Sequence, residues 1–357
     1  MAEWVEWIEE DARFEAIGPF WDDLAGHDPS PFAGPRWYAP WWRAFGDGRR
    51  LALCALWRDD RLVGVLPLLA GRGRLEAMAN EHTPRLRPAA RDPEALATLI
   101  RVAIDTRAGL LELHPLAEED ATLPLREAEA ARRFVLAEHV HTSPVVEATG
   151  DFAEYRRART SAWRDMERRR RKLQRECDVR LDLVASPHDV DRDMDAALVV
   201  EASGWKGRQG TAITSSPATN RFYREMARAF HESGELRLSR LHIDGRLAAV
   251  DLALVRGDRY FLLKTGYEDS FRRAGPGLIL RLAVVERCFE MGLHHEFLGD
   301  EANYKQLFAT GARDHLHLRL YRRRPVAATT WAYRRAARPA LKRAYRALTR
   351  PREDASG

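Results

Sequence analysis

The chain has 357 residues, 45% apolar and 31% charged, with a formal net charge of +5 and a pI near 9.2. That is apolar material for two cores of ordinary size, while no run approaches the ~20 apolar residues that a membrane-spanning helix requires. The scattered Cys54, Cys177 and Cys288 exclude a disulfide framework, the twelve histidines show no metal-ligand spacing, and the acidic N-terminus lacks the basic and apolar regions of a secretory signal, so the expectation is a metal-free cytoplasmic protein.

In chain order, WVEWIEE alternates and predicts a strand. Phe14 to Gly26 reads as a helix, Ser30 to Pro35 as a turn, and Arg36 to Phe45 as a short aromatic helix able to line a pocket. Three short strands are expected in LALCALWRDDRLVGVLPLLAGRGRLEAM, then a proline-containing loop from Asn80 to Pro88, a helix in PEALATLIRVAIDTR and a strand in LLELHPL. Phe134 to His139 and Val145 to Ala148 read as two further strands, and Gly150 marks a domain boundary. Asp151 caps a long basic helix reaching about Glu176. Its apolar stripe is Tyr155, Trp163, Met166 and Leu173, and the positive run from Arg168 to Lys172 circles the helix, so most of it is a solvated face. The charge still permits contact with a cofactor phosphate, an anionic saccharide or lipid, or RNA.

VRLDLVA begins a second set of elements. Helices from Val190 to Trp205 and from Thr219 to Ser233 flank a loop rich in Gly, Ser, Thr and Pro. Three strands follow in LRLSRLHIDGRLAAVDLALVRGDRYFLL, then a turn containing Arg272, Arg273, Gly275 and Gly277, the apolar helix LILRLAVVERCFEMG, and a strand ending Phe297-Leu298-Gly299-Asp300. From Val326 the chain is a basic, Ala-rich tail, helical in part, which could lie on an anionic membrane although Pro339 interrupts it.

The two three-strand segments are an internal repeat. They align without gaps, with Leu53 on Leu238, Leu56 on Leu241, Asp59 on Asp244, Leu62 on Leu247, Val65 on Val250 and Arg74 on Arg259. The first turns, Asp59-Asp60 and Asp244-Gly245, both have hairpin chemistry. Two such copies in one chain indicate two domains of one fold. After the third strand the copies diverge. A strand feeding a glycine turn and a helix N-terminus is built to hold a phosphate, since glycine lets backbone N–H groups close on the anion and the helix dipole adds positive charge. The first copy has prolines there and no glycine, so only the second is expected to bind a cofactor.

The spacing Arg272-x-x-Gly275-x-Gly277 resembles the pyrophosphate loop of GNAT acetyltransferases, and β–α–α–β–β–β–α–β is the GNAT order. Three segments resemble the CelD-like branch of that superfamily: Glu201-Ala-Ser-Gly-Trp205-Lys206-Gly207, Lys264-Thr-Gly-Tyr267 and Phe297-Leu-Gly-Asp300-Glu301-x-x-Tyr304-Lys305. This branch is similar to the tandem-GNAT Fem peptidoglycan transferases. The resemblance implies an α/β (α+β) fold of two tandem GNAT-like domains, each a mixed twisted sheet flanked by helices, with a basic C-terminal helical tail. The expected divisions are 1–149, 150–325 and 326–357.

The resemblance implies an acyltransferase using acetyl-CoA or another acyl-CoA, with N- or O-acyl transfer to a small-molecule, saccharide or lipid-linked acceptor of the envelope; the expected location is cytoplasmic, and the basic tail permits peripheral contact with the inner face of the membrane. A Fem-like transferase drawing on aminoacyl-tRNA, or a non-catalytic binding protein of envelope biosynthesis, are the alternatives. The cofactor would meet Arg272, Arg273, Gly275, Gly277 and Leu278, and the acceptor Trp205, Lys206, Lys264 and Tyr267. Asp300 or Glu301 would serve as base, Tyr304 as donor to the thiolate, and Lys305 as a charge stabiliser. Plainer roles compete. Asp300 suits an N-cap, Tyr304 and Lys305 suit exposed helix positions, Trp205-Lys206 suits a helix end, and Lys264 suits an edge charge.

Overall fold

The computed structural model describes residues 2–106, 108–204 and 209–323, together with 329, 331 and 335. The first half runs β1 (Glu3–Ile8), α1 (Asp11–Ala25), α2 (Pro35–Phe45), β2 (Arg50–Leu51), β3 (Leu53–Arg58), β4 (Arg61–Leu66), β5 (Leu68–Gly71), β6 (Arg74–Ala77), β7 (Ala89–Ala90), α3 (Pro93–Asp105), β8 (Leu110–Ala117), α4 (Glu118–Ala130) and β9 (Phe134–Val146). After α5 (Phe152–Arg157) and α6 (Ser161–Glu176) the order recurs: β10 (Val179–Ala185), α7 (Val190–Ser203), α8 (Pro217–Glu232), β11 (Leu236–Ile243), β12 (Arg246–Arg256), β13 (Arg259–Tyr267), α9 (Pro276–Met291), β14 (His294–Glu296), α10 (Asn303–Gln306) and β15 (Gly311–Tyr321).

The repeat is visible residue by residue. Cys54 pairs with Leu66, Leu56 with Gly64 and Trp57 with Leu62; at the equivalent places Ser239 pairs with Asp251, Leu241 with Ala249 and His242 with Leu247. Both hairpins carry a bulge at the same step, and both first turns have positive φ at each central residue, as a primed turn requires. The copies part at Pro67, which has no N–H to donate. It splits the middle strand of the first copy, so β4 joins a four-stranded sheet while β5 and β6 enter the main one. The same strand of the second copy, β12, is continuous over its full length.

The main sheet has eleven strands, ordered β10-β11-β12-β13-β14-β9-β15-β8-β6-β5-β2. At its centre the halves interchange their last strands. β9 of the first half pairs with β14 of the second, and β15 of the second lies between β9 and β8 of the first. One hydrophobic cluster also spans both halves, joining Trp37 of α2 to Phe222 of α8 and Phe32 to Phe261. A fragment covering residues 150–325 would therefore expose both edges of β15. It is expected to lack a cooperative thermal transition by circular dichroism, whereas the full chain should show one.

Some expected elements differ. β9 is one strand where two were expected, because its length is held by pairing with β15 on one side. The basic helix is two helices, α5 and α6, with Asp151 capping the first through the Ala153 N–H. Its stripe of Tyr155, Trp163 and Met166 is buried, and Arg168, Arg170 and Lys172 pair with Asp165, Glu286 and Glu176. The aromatic helix α2 lines no part of the main cavity; Trp37, Tyr38 and Trp41 are fully buried between the halves, where their large apolar area seals the interface. The basic tail from Val326 falls outside the described residues apart from 329, 331 and 335.

Candidate active site

β13 and β14 run parallel only where Arg259–Phe261 meets His294–Glu296. Beyond that, β13 continues to Tyr267 while the other chain swings away through Leu298 and Gly299, both at positive φ. Register between β12 and β13 passes from Ala253–Leu262 to Leu252–Lys264, so Leu263 is an extra residue. A bulge of this kind re-aims side chains and frees backbone groups from the ladder. Between the splayed strands lies a cavity of about 860 Å³. Its far wall comes from the first half: the Asn80–Pro84 loop, His114, Pro115, Val140 and His141.

At one end of the V, a short 3-10 turn over Asp269–Ala274 ends at Gly275 in the left-handed region, and Pro276 starts α9. Gly277 and Leu278 face the cavity, so the positive end of a 16-residue helix opens onto it. A Cβ on Gly277 would meet Tyr267 at 3.5 Å, an ordinary contact, so the position is open rather than packed. Arg272 and Arg273 lie exposed in the turn, outside the cavity lining, and the guanidinium of Arg169 from α6 comes within 3.8 Å of where a Gly275 Cβ would stand.

Of the residues expected to act at the other end, Asp300, Tyr304, Lys305, Lys264 and Tyr267 all line this cavity. Asp300 is not the N-cap of α10; that position is Ala302, and the Asp300 side chain is 88% exposed. Lys305 is not an exposed helix residue. It is buried, and its Nζ donates to the carbonyls of Leu298 and Asp300, each at 2.6 Å. Burial brings its pKa down to about 8, opposed by the nearby Asp300 charge. Tyr304 is packed edge-on toward Phe297, and burial raises its hydroxyl pKa. Glu301 turns away from the cavity lining and accepts a hydrogen bond from the Gln306 amide.

Lys264 points into the cavity rather than outward, its Nζ 5.2 Å from the centre of the Tyr223 ring. Burial holds its ammonium below the usual lysine range, against the pull of Glu201 and Glu81. The neighbouring Gly266 is obligatory, because a Cβ there would stand 2.6 Å from the Glu201 Cα on α7. Trp205 and Lys206 lie outside the described residues.

Four contributors escaped the sequence reading as site residues. Arg281 reaches the cavity from α9, bonds Asp251 of β12 at 2.6 Å and faces the Phe297 ring, with Arg281 1% and Asp251 0% exposed. A lone arginine in LILRLAVV and a lone aspartate in AAVDLALV were the available signal. Glu201, buried, accepts from the Ile213 N–H. His141, from β9, stacks on the buried His315 with ring centres 4.4 Å apart. No sequence signal pointed to His141, since strand interchange alone brings β9 to the second domain.

The family description of an acetyltransferase (GNAT) domain matches residues 159–306. Residues 159–306 form a GNAT domain. This domain holds the V, the glycine turn and Asp300, while the preceding half repeats the same element order. Comparison with curated protein sequences gives no match. Among solved structures, the C-terminal domain of a putative lysylphosphatidylglycerol synthetase from Agrobacterium fabrum is similar at TM-score 0.56 and 11% identity, covering 88% of this chain and 94% of that one. L-PGS from Bacillus licheniformis is similar at 0.54 and 12%, covering 91% and 96%. FemX is similar at 0.52 and 11%, covering 87% and 96%. At these identities the likeness is one of fold.

Proposed function

We propose that this GNAT protein transfers an acyl group from acyl-CoA, such as acetyl-CoA, to an amine or hydroxyl of an envelope, polysaccharide or lipid-precursor acceptor. The observation that carries this reading is the glycine turn and open α9 N-terminus lying beside a splayed, bulged pair of strands. The donor's pyrophosphate would rest on Gly275 and Gly277, with Arg272, Arg273 and Arg169 as counter-charges. Its thioester would enter the V, where backbone freed by the Leu263 bulge polarises the carbonyl. The acceptor would approach from the wall built by the first half. Asp300 would draw it in, and Tyr304 would protonate the departing thiolate. Lys305 we assign to positioning, because both of its carbonyl partners belong to the loop that carries Asp300. The fold likeness to FemX and L-PGS supports a second reading, an aminoacyl donor carried by tRNA, for which the basic face of α6 offers a phosphate-binding surface.

Acetyl-CoA at 100-fold above its Kd should raise stability by about 2.7 kcal/mol, with one molecule bound per chain by calorimetry. Gly277→Val should lose that binding and keep the unliganded melting temperature, given the open space at the position. Two molecules per chain would mean that the first half also binds. Unchanged affinity in Gly277→Val would remove the proposed cofactor site. Strong, salt-sensitive tRNA binding without any acetyl-CoA effect would establish the second reading, and neither response would indicate a non-catalytic binding protein.

A further inference from the structure

At the acceptor end of the cavity, Asp300 has a counterpart from the other half of the chain. His141 Nδ1 stands 3.9 Å from Asp300 Oδ1, too far for a direct hydrogen bond, and both residues line the cavity. Resting on the acyltransfer reading above, we propose that His141 is a catalytic residue, and that it and Asp300 form a two-acceptor slot which holds the attacking group and takes its proton.

The ring's setting favours the neutral form. Burial lowers the His141 pKa, Lys305 and His139 push it down further, and Asp300 alone opposes them. Beneath it lies His315, whose own pKa burial and His141 together bring to about 4, so the stacked partner stays uncharged at neutral pH. His141 Nε2 is buried and has no hydrogen-bond partner among the described residues, which leaves Nδ1 as the nitrogen directed at the slot. We assign the ring proton to Nε2; a carboxylate oxygen and an imidazole lone pair then face one another across the slot, and two acceptors cannot satisfy each other. A donor with two hydrogens completes the arrangement. A primary amine places one N–H on each and keeps its lone pair for the thioester; a hydroxyl has only one hydrogen to give. An arriving ammonium is attracted by Asp300 and yields its extra proton to solvent or to the slot.

The step then balances. The amine lone pair forms the N–C bond at the thioester carbonyl, and the C–S bond breaks. The nitrogen's surplus proton passes to His141 Nδ1, where the imidazolium is paired with Asp300. The thiolate is protonated by Tyr304, which recovers a proton from solvent as His141 releases one. The products are an amide and the free thiol. The first domain, without a glycine loop, in this way contributes to chemistry in the second.

Two measurements test the slot. The first needs no donor: the His141 imidazole is titrated by NMR in the full-length wild type and in Asp300→Asn. Removing the one charge that favours protonation among the described residues should lower the His141 pKa; an unmoved titration would overturn the pairing. The second is release of the CoA thiol from acetyl-CoA with primary amines and matched alcohols as acceptors. His141→Asn, which keeps a polar group near Nδ1 without a titrating ring, should lose about 100-fold or more in kcat, lose the acid limb of the pH profile, and keep the wild-type acetyl-CoA Kd. Wild-type turnover and pH profile in His141→Asn would overturn the assignment while leaving acyl-CoA use intact. Absence of acetyl-CoA binding by the wild type would instead refute the donor reading, and the NMR titration would still decide the pairing.

Discussion

Replacing Arg281 by methionine is expected to cost the protein about 3–5 kcal/mol. The guanidinium sits 1% exposed between Asp251, His295 and the Phe297 ring, and holds the fully buried Asp251 carboxylate at 2.6 Å. Arg281→Met leaves that carboxylate buried without its counter-charge, and desolvation then dominates. Urea unfolding should show a lower midpoint at unchanged slope. The double variant Arg281→Met with Asp251→Leu removes both charges and should recover much of the loss, since an apolar pair of similar volume avoids desolvation altogether. Equal stability of single and double variants would mean that the pair is not the source of the effect. Because Arg281 also lines the cavity, donor affinity should fall in both variants while only stability recovers.

Asp300→Asn is expected to lose turnover by about 100-fold or more with a melting temperature close to wild type. The separation follows from geometry: the side chain is 88% exposed and caps no helix, and only the residue's backbone carbonyl is used structurally, by Lys305. Near-wild-type turnover on the true acceptor would remove Asp300 from the chemistry. Lys305→Met should behave differently. It strips the bridge from two carbonyls and releases the turn in which Leu298 is held at positive φ, so stability and turnover should fall together. Activity should also show an alkaline limb. Lys305 is charged below its pKa of about 8 and loses its proton as pH rises through that value, so its grip on the Asp300 loop weakens above it. In Lys305→Met that limb should vanish from a kcat/KM profile measured between pH 7 and 9.5.

What could be read from the sequence was whatever is enforced locally. Hairpin register follows from turn chemistry and side-chain alternation, so the Asp59-Asp60 and Asp244-Gly245 turns, the shared strand pattern and the family-wide element order were legible. So was the glycine turn, because a left-handed Gly275 followed by Pro276 needs particular residues at particular places. The loss of the glycine turn after the third strand of the first copy was equally plain, whereas the earlier parting of the copies at Pro67, inside the middle strand, was not. What only the tertiary structure decided was which elements become neighbours across long separations. Interchange of β9 and β15 is a matter of sheet edges, which no local pattern encodes, and it alone brings His141 to Asp300. Whether Lys305 and Lys264 face solvent or a cavity depends on how neighbouring segments close over them, and charged residue types by themselves predict exposure. Arg281 and Asp251 stood out in apolar runs, yet their pairing had to await the packing of α9 on β12, because a buried charge declares its partner only when the two surfaces meet.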